Sequence, residues 1–187
     1  MTILRTPSTY IRRLVANDAT EMLALRERNH EFLQPWEPLR QPGYLTLGVQ
    51  QIEIQRGDQE WAADRGFAFG IFDAVSDELI GRLALSNIVR GAWQNSTLGY
   101  FVGREFNGRG HCTNAVALAL EFAYETARLH RVQAATMVRN VASARVLEKN
   151  GFAFEGVARR YLRINGDWED HNVYSLTVED WRGPVSI

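Results

Sequence analysis

An extended run, Thr97 to Val102, passes through Gly103-Arg104-Glu105-Phe106-Asn107-Gly108-Arg109-Gly110 into a segment of helical period. There Val116, Ala119, Leu120 and Ala123 recur at i, i+3, i+4 and i+7. A strand that feeds a helix through so short a glycine turn restricts the chain to a sheet with helices laid on it. It also leaves a helix N-terminus open beside a strand end. Unpaired N–H groups and the positive end of the helix dipole favour an anion at such a place. Gly108 and Gly110 allow the backbone to approach a pyrophosphate with no Cβ between them, and Arg104 and Arg109 add positive charge. A plain strand-to-helix turn has the same local pattern. The segment is not a Walker A loop, since no Gly-Lys-Ser/Thr follows, nor a dinucleotide fingerprint, since the Gly-x-Gly-x-x-Gly spacing is absent.

The remaining elements surround this unit. Thr9 to Val15 is a first strand. Asn17 or Asp18 caps a helix that carries Glu21 in its first turn and runs to about Asn29. The prolines of Phe32-Leu33-Gln34-Pro35-Trp36-Glu37-Pro38 impose a loop or broken turn, and a second helix lies between Leu45 and Arg65. Strands follow at Phe67–Phe72, Leu79–Ile88 and, after the long helix, Arg131–Val138. Asn140 caps a short helix with Gly151 at its C′ position. Glu155–Ile164 and Trp168–Thr177 form a hairpin, because Asn165-Gly166 is the strongest short hairpin signal. No repeat, low-complexity tract or linker divides the chain, so a single domain over about 8–182 is expected. Its order of elements implies a mixed sheet with helices on it.

The 187 residues are 45% hydrophobic, enough for a sizeable core. The formal net charge of −1 argues against a broad nucleic-acid surface, although Arg159, Arg160 and Arg163, and Asp167, Glu169 and Asp170, form local patches. Cys112 is the single cysteine, so no internal disulfide can form. No apolar run approaches the roughly 20 residues of a membrane span, and the N-terminal segment lacks the apolar stretch of a secretory signal. A cytoplasmic protein is expected.

Asn107-Gly108-Arg109-Gly110-His111-Cys112 resembles the pyrophosphate loop of the GNAT acetyltransferases, commonly Gln/Arg-x-x-Gly-x-Gly/Ala, with Gly110 matching and Asn107 and Cys112 departing at the ends. Asn140-Val141-Ala142-Ser143 followed by Leu147-Glu148-Lys149-Asn150-Gly151-Phe152 resembles that family's second signature. The stretches Phe32–Pro38, Asn87-Ile88-Val89-Arg90-Gly91 and Gly166-Asp167-Trp168-Glu169-Asp170-His171 are similar to the branch that acetylates ribosomal-protein alanine. The likeness spans about Tyr10 to Trp181. It implies the α/β (α+β) GNAT fold: a mixed, mainly antiparallel, splayed sheet of about seven strands with about four helices, and coenzyme A in the splay. It further implies that acetyl-CoA is the cosubstrate, with no metal, and that it is held by Tyr100, Phe101, Val102, Asn107, Gly108, Arg109, Gly110, His111, Cys112, Thr113, Asn140 and Ser143.

Acetyl transfer to an amine needs a held thioester, a neutral amine, a stabilised oxyanion and a proton for the leaving thiolate. The resemblance pairs the pantetheine arm with the backbone of Tyr100, Phe101 and Val102. Many family members carry a tyrosine donor just before the Glu-Lys pair; this chain has Leu147 there, and the ribosomal branch implies Ser143 as donor. Ser143 is equally a first-turn serine that satisfies its helix end. An α-amine of pKa about 8 is about a tenth neutral at pH 7, against about a few ten-thousandths for lysine, so an N-terminal acceptor needs only a weak base. Glu37 is the candidate base, with Glu31, Asp167 and Asp170 as lesser ones; a surface glutamate beside a packing Trp36 is the bland alternative. Cys112 lies at a helix start that would lower its pKa, but direct transfer in a ternary complex leaves it without a nucleophilic role. His111 and His171 lack metal-ligand spacing, and His171 is expected to anchor its strand.

The expected activity is acetyl transfer to the N-terminal α-amine, alanine by resemblance, of a ribosomal protein, with a homodimer among the partner states considered. A small amine (amino acid, polyamine or antibiotic) is the alternative acceptor. A non-catalytic coenzyme A-binding or ribosome assembly factor is the reading from another class. Thiol release with candidate amines separates the last from the first two.

Overall fold

The computed structural model describes residues 3–184. Eight strands form one open sheet: β1 (Ile3–Arg5), β2 (Thr9–Arg13), β3 (Phe67–Asp73), β4 (Leu79–Val89), β5 (Asn95–Val102), β6 (Arg131–Met137), β7 (Ala153–Ile164) and β8 (Asp167–Thr177). The helices are α1 (Ala19–Arg28), α2 (His30–Leu33), α3 (Leu47–Ala62), α4 (His111–Glu121) and α5 (Val141–Lys149). The sheet order is β1-β2-β3-β4-β5-β6-β8-β7. Every neighbouring pair is antiparallel except β5 and β6.

Two observations extend the sequence reading. Ile3–Arg5 adds an eighth strand, paired with Tyr10–Arg12; three residues are too short a run for periodicity to reveal. The Phe32–Pro38 segment enters as the last residues of α2 and a 3₁₀ turn at Gln34–Trp36, with Pro35 where its missing N–H costs nothing. Asp18 does precede α1, yet it offers that helix no side-chain cap. Its carboxylate instead takes both Nη groups of Arg12 at 2.7 Å and accepts the Val15 N–H at 2.7 Å. The ion pair with Arg12 holds the Asp18 carboxyl below the usual range in spite of its burial.

Alternation sorts the strands into two covered faces. Ile71, Leu83 and Leu98 pack with Val116, Ala119 and Leu120 of α4 in one core. Phe72 and Leu79 pack with Met22 and Leu25 of α1 and Ile54 of α3 in a second. After Glu121 the helix widens into a π turn over Phe122–Thr126, where the Tyr124 hydroxyl donates to Leu176 O at 2.7 Å. The β7–β8 hairpin turns on Asn165 and Gly166, both at positive φ (47° and 98°), the conformation a two-residue primed turn demands. Gly151, at φ 83°, ends α5, with the Phe152 N–H donating back to Leu147 O.

The break in the sheet positions the site. β5 and β6 pair only from Asn95↔Arg131 to Leu98↔Ala134. Beyond Leu98 the strands part: Gly99–Val102 keeps β4 on one side, and Ala135–Met137 keeps β8 on the other.

Candidate active site

The splay opens a cleft of about 520 Å³. Tyr100, Phe101 and Val102 line one wall, and the edge they turn toward β6 has no ladder partner. The glycine turn and the start of α4 form the floor at one end. Asn140, Ala142, Ser143 and Val146 of the α5 segment line the opposite wall, and Phe32, Leu33 and Trp36 close over the side.

The turn is fixed by side chains, and its anion-facing atoms are left open. Asn29 at the end of α1 accepts the Arg104 N–H at 2.7 Å, and Asn107 Nδ2 donates to Gly103 O at 3.0 Å. Gly108 and Gly110 have φ of 75° and 86°, which a side chain would strain. A Cβ on either would meet open space, so the backbone conformation demands glycine and the space above remains for a ligand. Gly110 is the N-cap of α4 and offers no side-chain cap, so the first-turn N–H groups face that space. An elongated ligand with a pyrophosphate fits these residues: phosphate at the helix start, arm along the unpaired β5 edge.

Of the residues expected to hold the cosubstrate, Tyr100, Phe101, Val102, Asn107, Gly108, Gly110, His111, Cys112, Thr113, Asn140 and Ser143 all line this cleft. Arg109 does not; its guanidinium lies 5.6 Å from the Phe106 ring centroid. His111 touches the cleft but its imidazole turns inward, 4% exposed, with Nδ1 2.8 Å from Thr9 Oγ1 and Nε2 3.5 Å from Asp73 Oδ2. Burial lowers its pKa, partly opposed by Asp73. It therefore ties α4 to β2 and β3. Burial pushes the Cys112 thiol up to about 12, so it is a neutral thiol at pH 7; desolvation outweighs the helix start that would have lowered it.

Ser143 and Tyr100 come together across the splay. The Ser143 N–H donates to the Asn140 side chain at 3.1 Å, which sets the first turn of α5. The Ser143 hydroxyl lies 3.0 Å from the Tyr100 hydroxyl, and that hydroxyl is also 3.2 Å from Ser143 O. Burial raises the Tyr100 pKa, so the phenol keeps its proton. The family resemblance implies only a backbone role for Tyr100; nothing local tells that its side chain meets α5. Leu147 is 1% exposed in the core, facing away from the cleft.

Glu37 stands apart. It lines a neighbouring cavity of about 380 Å³ with Arg26, His30, Leu33, Arg40 and Tyr44. Both carboxylate oxygens accept from Arg26 Nη1, at 2.7 and 2.9 Å, and Arg40 Nη2 is 3.4 Å away. Leu33 lines both cavities, so they adjoin. Of the other carboxylates considered, Glu31 and Asp167 are exposed, and Asp170 accepts the Arg160 N–H at 2.7 Å. Glu169 pairs with Arg139 at 2.8 Å. His171 is 3% exposed within β8, and its Nδ1 lies 2.9 Å from Glu169 O.

The acetyltransferase (GNAT) domain family matches residues 9–153. The chain is 40% identical over 178 residues to a probable N-acetyltransferase, YjcK, of Bacillus subtilis, covering 95% of this chain and 98% of that one. It is 33% identical to the [ribosomal protein uS5]-alanine N-acetyltransferase of Escherichia coli, covering 95% and 92%. Among solved structures, the ribosomal-protein-S5-alanine acetyltransferase from Vibrio fischeri superposes with a TM-score of 0.91 at 31% identity, covering 97% of this chain and all of the other. Mycobacterium smegmatis RimJ in complex with CoA-disulfide gives 0.90 at 28%, covering 98% and 89%.

Proposed function

Because the chain belongs to the GNAT acetyltransferase family, an acetyl-CoA-dependent family of N-acetyltransferases, we propose that it acetylates the N-terminal α-amine of a ribosomal protein, with alanine first, by direct attack in a ternary complex. The observation that carries this reading is the continuous cleft from the Gly108–Gly110 turn to the Tyr100–Ser143 pair, in a chain whose relatives include named ribosomal-protein-alanine acetyltransferases. The geometry favours an enzyme over a mere binding factor, because it offers a proton-bearing pair beside the cleft.

Acetyl-CoA supplies the thioester. The α4 start and the Asn107–Gly110 backbone hold its phosphates, and Tyr100–Val102 hold the arm along the β5 edge. Ser143 donates the proton that the departing sulfur takes and regains one, through water, from the amine that has attacked, while the Tyr100 hydroxyl, 3.0 Å away, orients Ser143. With Glu37 bound to Arg26, it acts on the acceptor amine through water, or as part of the wall that seats it. An α-amine of pKa about 8 needs no stronger base.

The test is mass spectrometry of a synthetic peptide that begins with alanine and contains lysines, incubated with the enzyme and acetyl-CoA. Acetylation on the α-amine alone is expected, and a peptide with a blocked N-terminus stays unmodified. Acetyl groups on lysine side chains, or a polyamine used with higher kcat/KM, would refute the acceptor assignment.

A further inference from the structure

Between the sheet and the α1–α3 pair lies a small pocket of about 30 Å³, walled by Arg13, Met22, Arg26, Tyr44, Glu53 and Arg82. Arg82 interrupts the otherwise apolar run Leu79-Ile80-Gly81-Arg82-Leu83-Ala84-Leu85 in β4, opposite Gly70 and Phe101. Its guanidinium makes no hydrogen bond or ion pair with any described residue. The neighbouring charges are already engaged. Arg13 pairs with Asp58 at 2.6 Å, and Arg26 and Arg40 share Glu37. Glu53 is near enough for its charge to be felt at Arg82 but forms no ion pair with it. Arg26 Nε, buried in the same wall, also has no acceptor. The pocket thus holds one surplus positive charge, an Arg82 guanidinium with no ion-pair partner among the described residues, and one buried Arg26 N–H without an acceptor.

Arg82 is half-buried; partial burial and the like charge of Arg26 beside it pull its pKa down, and a bound anion would favour its charged form. The size of the pocket selects the anion. About 30 Å³ admits roughly two waters, which suits a planar carboxylate and not a phosphate. The guanidinium fork matches a carboxylate with two parallel hydrogen bonds. Position selects the carrier. Arg26 and Tyr44 line both this pocket and the Glu37 cavity, and Leu33 joins that cavity to the cleft. Arg26 also stacks 4.0 Å over the Phe101 ring, whose backbone edges the cleft.

We propose that Arg82, with Arg26 Nε, is a recognition site for a carboxylate carried by the acceptor whose amine is acetylated in the cleft. This rests on the reading of the cleft as the acetylation site. The carboxylate comes from an acidic side chain close to the peptide's N-terminus or from a small amino acid, and the test separates the two.

Alanine-first peptides are assayed in pairs that differ only by Glu or Gln at positions two to five, beside free amino acids paired with their amides. Each pair is run with the parent enzyme, Arg82→Gln and Arg82→Lys, and acetyl-CoA affinity serves as the check of folding. In the parent at least one acid is expected to exceed its amide by about tenfold in kcat/KM, as hydrogen bonds to a charged group allow. That ratio falls to about one in Arg82→Gln, with acetyl-CoA affinity unchanged, and to an intermediate value in Arg82→Lys, which keeps charge but not the fork. Should Arg82→Gln fail to bind acetyl-CoA, the drop in Arg82→Lys decides. Acids and amides used equally by the parent, or a ratio that survives both substitutions, overturns the site while leaving the N-terminal reading intact. A preference confined to free amino acids upholds the site and overturns the peptide acceptor.

Discussion

At the residue scale the proposed chemistry rests on two hydroxyls 3.0 Å apart across the splay. Ser143→Ala removes the group proposed to reprotonate sulfur. Turnover is expected to fall about 100-fold, with acetyl-CoA affinity changed by less than twofold, measured as kcat at saturating substrates and by calorimetry. Tyr100→Phe leaves Ser143 in place but removes its 3.0 Å partner, and a fall of about tenfold is expected. Parent-like turnover in both variants would mean that water alone delivers the proton. The two residues differed in legibility. Ser143 was singled out only by likeness to the ribosomal branch, since its place three residues after a capping asparagine speaks equally for a first-turn serine. Tyr100 reads as one more aromatic in a strand, because the α5 contact depends on how far β5 and β6 part. Arg82 had a signal, a charge inside an apolar run, whose meaning depended on finding no carboxylate paired with it.

At the scale of elements, the glycine turn and α4 act as a unit. Gly110→Asp adds a carboxylate where phosphate is expected and forces a side chain into φ 86°. Acetyl-CoA affinity is expected to drop at least tenfold, about 1.4 kcal/mol, by calorimetry on a variant shown to be folded. Behind the turn, His111 fixes α4 to Thr9 and Asp73. Burial keeps its folded pKa below its unfolded value of about 6.5, so the unfolded chain takes up the proton first as pH falls. This contribution to stability is complete above about pH 6.5 and is lost as the pH falls from there toward the depressed folded value. His111→Gln should flatten that limb when urea midpoints are compared at several pH values between 5 and 7; an unchanged slope would show that His111 titrates as in the unfolded chain. The turn was legible because glycines and a helical period mark it in sequence. The inward rotation of His111 was not, since its partners Thr9 and Asp73 lie far from it in the sequence. The Asn165–Gly166 hairpin was legible for the opposite reason: the turn and both strands are local.

The whole molecule is two antiparallel sections, β1–β5 and β6–β8, joined in the sheet by four parallel residue pairs. A cosubstrate seated in the splay, as proposed, would touch both sections and add its binding energy to their union. Saturation at about 100 times the dissociation constant should raise unfolding free energy by about 2.7 kcal/mol, seen as a rise in Tm that follows acetyl-CoA concentration. A melting curve indifferent to acetyl-CoA would place the ligand elsewhere. The mixed sheet was foreseeable from the element order, whereas the parting of β5 from β6 was implied only by likeness to a family. No single segment encodes it, because it is a property of two strands about thirty residues apart.

The short parallel ladder also bears on motion. Amides of Gly99–Val102 on the β6-facing edge, and those of Ala135–Met137 turned toward it, have solvent or ligand where a strand would be. In hydrogen exchange the two sections should therefore behave as separate opening units in the absence of cosubstrate, with unequal protection. Acetyl-CoA should merge them into one, so that slow amides in β4 and β8 come to exchange at a common rate. The protein would then become fully cooperative only when it is ready to react.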